Sequence, residues 1–295
     1  MSTIEKAMER LGRKPETGAG PPRADRPGRA PAPPPEPGRD ATPVSRTARP
    51  LQIDFRRLRD RGIYPPDAMQ PGLRDQYRRI KRPLLANATG RKGLSVDRGN
   101  LIMITSAIPG EGKTFTSLNL ALSIAQDPDY SVTLVDGDVA RANASGLLGV
   151  RDALGLLDLL ADESLAAVDA VLPTSVESLS LLPAGRPHSL SEELLSSGRM
   201  ERVVSSLADR NRHHIILFDS PPLLASPAAL TLSSNVGQIV VVVKAGSTLR
   251  HQVVEAVDQL DPSKAINMVL NQTMGGIGGD EYGDYYHAYG ETSER

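Results

Sequence analysis

The sequence predicts an α/β fold, a doubly wound and mainly parallel sheet flanked by helices, on three observations. From residue 101 onward, short apolar runs rich in Val, Ile and Leu alternate with helix-length amphipathic stretches. The first run, Leu101–Thr105, leads through a glycine-bearing turn, Ala107-Ile-Pro-Gly-Glu-Gly-Lys-Thr114, into a helix-like stretch. Two later runs close on Asp136 and Asp219, which puts charge at the carboxyl ends of strands, where doubly wound sheets bind their ligands.

The elements follow in chain order. Residues 1–12 read as a short amphipathic helix with Ile4, Ala7, Met8 and Leu11 on one face, stopped by Gly12. Residues 13–50 are dominated by Pro, Gly, Arg and Ala and contain Pro31-Ala-Pro-Pro-Pro-Glu-Pro37, which predicts a disordered, polyproline-like linker. A single folded domain is expected over 51–274, opening with helices at Leu51–Arg61 and Gly72–Ala88. Strands are expected at Leu101–Thr105, Val132–Val135, Leu179–Leu182, His214–Phe218, Gln238–Val243 and Ala265–Asn271. Helices are expected at Thr114–Gln126, Ser191–Asn211 and Thr248–Leu260. Residues 275–295 carry Tyr282, Tyr285, Tyr286 and Tyr289 behind a Gly-rich spacer; their aromatics have neither strand nor helix periodicity, so a flexible tail is expected.

Composition narrows the function classes. Basic residues outnumber acidic ones two to one in the first hundred residues and the ratio inverts thereafter, giving a formal net charge of -1. The front-end arginines lie among prolines without interleaved aromatics, which reads as solvated linker and not as a nucleic-acid surface. The absence of cysteine excludes a disulfide framework and a thiolate metal site. No secretory apolar core or membrane-length apolar run is found, so a cytoplasmic protein is expected, reaching any membrane through a partner.

The turn after the first strand has the spacing of a phosphate-binding loop, with Ala107 in place of its first glycine, and makes the fold class a P-loop NTPase. Gly110 and Gly112 let backbone N–H groups converge on phosphate, Lys113 bridges terminal phosphates and Thr114 ligates Mg²⁺. Pro109, Gly110, Glu111, Gly112, Lys113, Thr114 and Phe115 are therefore the candidate ATP contacts. Asp136 and Asp138, alternately spaced after a strand, suit metal positioning or proton acceptance; Asp219 suits the Mg²⁺ shell as in a Walker B element. Thr114, Asp136 and Asp219 form the expected metal set, and Lys113, Asp136, Asp138 and Asp219 the catalytic set. Asn271, ending the last strand, suits either an adenine edge or a turn. The tail tyrosines suit phosphoryl acceptors or a low-complexity tail. None of His188, His213, His214, His251 and His287 has metal-ligand spacing.

Over about residues 70–290 the chain resembles the bacterial tyrosine kinases of exopolysaccharide production. The resemblance rests on Ser106-Ala-Ile-Pro-Gly-Glu-Gly-Lys-Thr114, Leu134-Val-Asp-Gly-Asp138, Leu181-Leu-Pro-Ala-Gly185, Glu193-Leu-Leu-Ser-Ser197, Phe218-Asp-Ser-Pro-Pro222 and the tyrosine tail, in that order. It implies ATP and Mg²⁺ as cofactors and autophosphorylation of Tyr282, Tyr285, Tyr286 and Tyr289 by a neighbouring subunit of a ring-like homo-oligomer. It also implies a transmembrane polysaccharide chain-length activator, a cognate tyrosine phosphatase and a place at the inner face of the cell membrane. Asp75, Arg78 and Lys81 resemble the family's ring-contact helix, although lysine in place of arginine loses bidentate geometry. Where the family often has arginine two residues after the second acid, this chain has Ala140, followed by Arg141. The N-terminal helix, linker and Arg79–Asn87 resemble the exosortase-associated autokinase subgroup. The competing reading is a partition- or Min-type positioning ATPase. Its signature lysine early in the loop is Ile108 here.

Overall fold

The computed structural model describes residues 50–90, 96–208 and 211–273. The expected helix over 1–12, nearly all of the linker and the tyrosine tail lie outside the described residues. The sheet has seven strands: β1 (Leu101–Ser106), β2 (Ser131–Asp136), β3 (Leu172–Pro173), β4 (Leu179–Leu182), β5 (His214–Asp219), β6 (Gln238–Lys244) and β7 (Ala265–Asn271). Their spatial order is β3-β4-β2-β5-β1-β6-β7. All neighbours are parallel except β3, which pairs antiparallel with β4. Side chains alternate across a strand, so consecutive apolar residues in the central strands feed two separate cores. On one face Ile102, Ile104, Val132, Leu134, Ile215 and Leu217 pack together; on the other, Leu101, Met103, Val135, Ile216 and Phe218 do.

Helices cover both faces. In chain order they are α1 (Phe55–Arg59), α2 (Pro71–Thr89), α3 (Lys113–Ala125), α4 (Asn143–Leu147), α5 (Leu156–Ala161), α6 (Ala167–Ala170), α7 (Ser191–Leu195), α8 (Gly198–Leu207), α9 (Pro227–Asn235) and α10 (Arg250–Asp258). Helix α3 is sandwiched between the sheet and α2, which explains why its Leu118, Leu120, Leu122 and Ile124 are all buried. α2 begins with proline at its first position and ends at Gly90 with φ 70°, the left-handed residue that closes a helix.

Two expected helices differ from the structure. The expected Leu51–Arg61 helix is only Phe55–Arg59, because Leu51 bridges to Thr174 and the Asp54 carboxylate accepts from the N–H groups of Arg56 and Arg57, capping a later start. The expected Ser191–Asn211 helix is split into α7 and α8 at Ser196–Ser197, where Ser197 leaves helical geometry with ψ 155° and its hydroxyl donates to the Leu194 carbonyl.

Candidate active site

Strands β2, β5 and β1 lie side by side, so their carboxyl ends bring three separate stretches of sequence together. β1 runs straight into the phosphate loop. The segment after β5 is stitched along it: Ser220 N–H donates to Ile104 O, Leu223 N–H to Ser106 O and Leu224 N–H to Ala107 O. Gly110 and Gly112 have φ of 87° and 94°, a region other residues enter only under strain. At Gly112 space is also closed, since an added Cβ would lie 2.1 Å from Asn271 Nδ2.

Glu111 is buried and acts as the brace of the loop. Its carboxylate accepts from Ile108 N–H at 2.8 Å, from Lys244 N–H at 3.2 Å and from the Thr248 hydroxyl, tying the loop to the end of β6. Its carbonyl accepts from Asn271 Nδ2 at 2.9 Å. Asn271 thus stands beside the loop with its amide nitrogen spent on the loop backbone.

Lys113 opens α3 and is buried beside acids. Burial pulls its ammonium below the ordinary lysine range, while Asp138 and Asp219 oppose that shift by favouring the charge. Asp136 and Asp219 are direct register partners on β2 and β5, and both are completely buried. Asp136 Oδ2 accepts from the backbone N–H and hydroxyl of Ser145, each at 2.7 Å. Ser145 Oγ in turn accepts from Ala184 N–H at 3.0 Å, which links the Leu181–Gly185 segment to this carboxylate. Asp219 Oδ1 accepts from Ser117 Oγ at 3.1 Å. The second oxygens, Asp136 Oδ1 and Asp219 Oδ2, are buried with no hydrogen-bond partner among the described residues.

Burial pushes the Asp136 carboxyl up to about 6, against the pull of the Ser145 hydrogen bonds. Burial and then the charge of Asp136 push Asp219 up to about 7, opposed by the Thr114 hydroxyl and Lys113. Asp138 is also raised by burial, opposed by Lys113 and Arg141. Two adjacent carboxylates with orphaned oxygens in a buried site can share a proton or a cation. Among the described residues no three His, Cys, Asp or Glu side chains form a self-sufficient metal cluster. The donor set fits Mg²⁺, which takes one or two carboxylates and completes its shell with phosphate oxygens and water.

A cleft of about 320 Å³ opens at the phosphate loop, lined by Gly110, Gly112, Lys113, Thr114, Phe115, Arg61, Arg141 and Asn143 among others. The structure therefore gathers Pro109–Phe115, Asp136, Asp138, Asp219 and Asn271 at one edge of the sheet. Asp75, Arg78 and Lys81 stand apart on α2. Asp75 and Arg78 pair with each other at 3.4 Å on the exposed face, whereas Lys81 turns inward to donate to Ser123 O at 2.9 Å and pair with Asp127. Tyr282, Tyr285, Tyr286 and Tyr289 lie outside the described residues. Sequence reasoning missed Ser117, Ser145 and Arg61. Ser117 lies one helical turn after Lys113 and so was readable from the 3.6 period; the other two carry no spacing signal.

Comparison with known proteins places this architecture. The family model described as an AAA domain matches residues 99–269. Tyrosine-protein kinase YwqD of Bacillus subtilis is 31% identical over 200 residues, covering 67% of this chain and 80% of its own length. Tyrosine-protein kinase wzc of Salmonella typhimurium is 28% identical over 200 residues; the match spans 67% of this chain but only 27% of that longer protein. Among solved structures, the VpsO kinase domain superposes with a TM-score of 0.54 at 30% identity, covering 68% of this chain and 98% of that one. With a braced phosphate loop, paired strand-end aspartates and these relatives, the chain belongs to the bacterial tyrosine kinases built on a P-loop ATPase fold.

Proposed function

We propose that the chain transfers the γ-phosphoryl group of ATP to the tyrosines of its own C-terminal segment, Tyr282, Tyr285, Tyr286 and Tyr289, between copies of a ring-like homo-oligomer. The observation that carries the reading is the pair of orphaned oxygens on Asp136 and Asp219 beside the buried Lys113. Lys113 and the N–H groups of Gly110–Thr114 hold the phosphates. Thr114, Asp136 and Asp219 would hold Mg²⁺, whose chemistry is to neutralise charge on the transferring phosphoryl group. Asp138, which lacks the serine tether of Asp136, accepts the tyrosine hydroxyl proton. The tyrosine oxygen forms the new P–O bond as the bond from the γ-phosphorus to the β-bridging oxygen breaks, and ADP leaves.

Ile108, at the position where positioning ATPases of this fold carry their signature lysine, packs its side chain against the apolar core beneath the loop. That favours kinase over positioning switch. The proposed setting is control of exopolysaccharide synthesis or export at the inner face of the cell membrane, with a transmembrane chain-length partner as activator and a tyrosine phosphatase as antagonist. No helix among the described residues is long and apolar enough to cross a membrane, which fits recruitment by such a partner.

Asp138→Asn tests the assignment of the base. It should reduce tyrosine phosphorylation by at least about a hundredfold while calorimetric affinity for Mg²⁺-ATP is retained. Loss of nucleotide affinity in step with activity would move Asp138 to the binding machinery and overturn its role as base.

A further inference from the structure

Next to the nucleotide cleft lies a second recess of about 350 Å³, lined by Arg57, Arg61, Asn143, Gly146, Leu147 and Arg151. Three exposed arginines line it from two different parts of the chain. Arg57 and Arg61 sit four residues apart on α1 and the turn that follows; Arg151 comes from the turn after α4. Arg78, Arg98, Arg186, Arg199 and Arg202 each face a carboxylate, but Arg57, Arg61 and Arg151 have no ion-pair partner among the described residues.

Packing fixes the backbone that carries Arg61 and the surface against which Arg151 lies. Gly62 has φ 72°, and an added Cβ would lie 3.1 Å from the ring of Phe115, so the Arg61–Ile63 turn is seated on the residue that follows Thr114. Ile63 beside it is buried. On the other wall the Arg151 guanidinium lies over Gly146, where an added Cβ would come within 2.8 Å of it. A cluster of arginines without ion-pair partners among the described residues, one of which also favours the Asp136 charge, is a carboxylate or phosphate receptor. The recess shares Arg61, Asn143 and Leu147 with the nucleotide cleft, so whatever it holds stands beside the transferring phosphate; Arg57 and Arg151 line only the recess.

We propose that this three-arginine recess docks the acidic residues that flank the acceptor tyrosines, Asp280, Glu281 and Asp284. The inference rests on the reading that residues 282–289 are the acceptors. Between Asp280 and Gly290 the chain has three acids and neither lysine nor arginine, and Tyr282 and Tyr285 adjoin those acids directly. Carboxylates seated on Arg57, Arg61 and Arg151 would hold a neighbouring tyrosine at the shared wall of the cleft. Substrate choice would then come from charge beside the tyrosine, with the tyrosine itself read only by the chemistry.

The test uses the full chain with Asp280→Asn, Glu281→Gln and Asp284→Asn, so that its own segment does not compete, and a fluorescent peptide of residues 275–295 as probe. Anisotropy should report binding that weakens about tenfold in Arg57→Glu and recovers when the peptide carries Asp280→Lys and Asp284→Lys. An affinity indifferent to Arg57→Glu, or equal binding of a peptide with the same composition in scrambled order, would overturn the proposal. So would an Arg57→Glu chain that loses Mg²⁺-ATP and peptide in equal measure, which would give the recess to the nucleotide. Phosphate transfer to the peptide is read separately. Charge-dependent binding without transfer upholds docking and removes the kinase reading; transfer with charge-indifferent binding does the reverse.

Discussion

Asp136 and Asp219 are buried acids whose protonation pH can read. Burial puts their carboxyls at about 6 and about 7 in the folded chain, Asp219 pushed further by the charge of Asp136, against roughly 4 for an ordinary aspartate. Between those limits the folded state binds more protons than the unfolded state, so without metal the stability should fall as pH rises from about 4 to about 7. Each group contributes a slope of at most about 1.4 kcal/mol per pH unit. If Mg²⁺ with nucleotide takes the place of those protons, as proposed, the stabilisation it gives should grow over the same window. Urea midpoints measured against pH in EDTA check the first statement, and Asp219→Asn should flatten the curve. Both aspartates were legible in the sequence because each ends an apolar strand. Their hydrogen-bond partners were not: Ser117 is 102 residues from Asp219, and Ser145 reaches Asp136 across a turn that no periodicity marks.

The phosphate loop depends on elements distant from it in sequence. Glu111 collects donors from the loop, from the end of β6 and from Thr248, and Asn271 at the end of β7 closes on its carbonyl. Glu111→Ala would take the acceptor from the half-buried Ile108 N–H and the Thr248 hydroxyl and leave the Lys244 N–H only its longer bond to Thr248 Oγ1, a loss of about 2–3 kcal/mol by denaturant titration. ATP affinity should fall at least about tenfold as the loop loosens; Glu111→Gln, which keeps an acceptor oxygen, should lose much less. The central strands could be read in advance because fully buried parallel strands are continuous apolar runs, and the half-exposed edge strand β7 because its residues are still mostly apolar. β3 could not, being two residues long and defined only by its antiparallel pairing with β4. The short helices α4, α5 and α6 run from four to six residues, too few to display a helical period. The break between α7 and α8 was hidden by serines that fit either a helix or its cap.

On the scale of the whole molecule, the strand order puts β2, β5 and β1 side by side and so turns three distant motifs into one site. Asp75 and Arg78 remain exposed on α2 while Lys81 is engaged internally, so any contact between copies through this helix would use the first two. Phosphorylation adds about -1.5 to -2 charges per tyrosine to a segment that is already acidic. Phosphorylated protein should therefore sediment as smaller oligomers than unphosphorylated protein at the same concentration, and identical sedimentation would break that link. In the proposed function the acceptor is tyrosine and not water. Mass-spectrometric phosphosite mapping of the full chain with Mg²⁺-ATP, beside Lys113→Met, tests it most directly. The account predicts phosphotyrosine among Tyr282, Tyr285, Tyr286 and Tyr289 in the wild type and none in Lys113→Met; ATP turnover to free phosphate with those four tyrosines unmodified, the membrane activator being present, would contradict it.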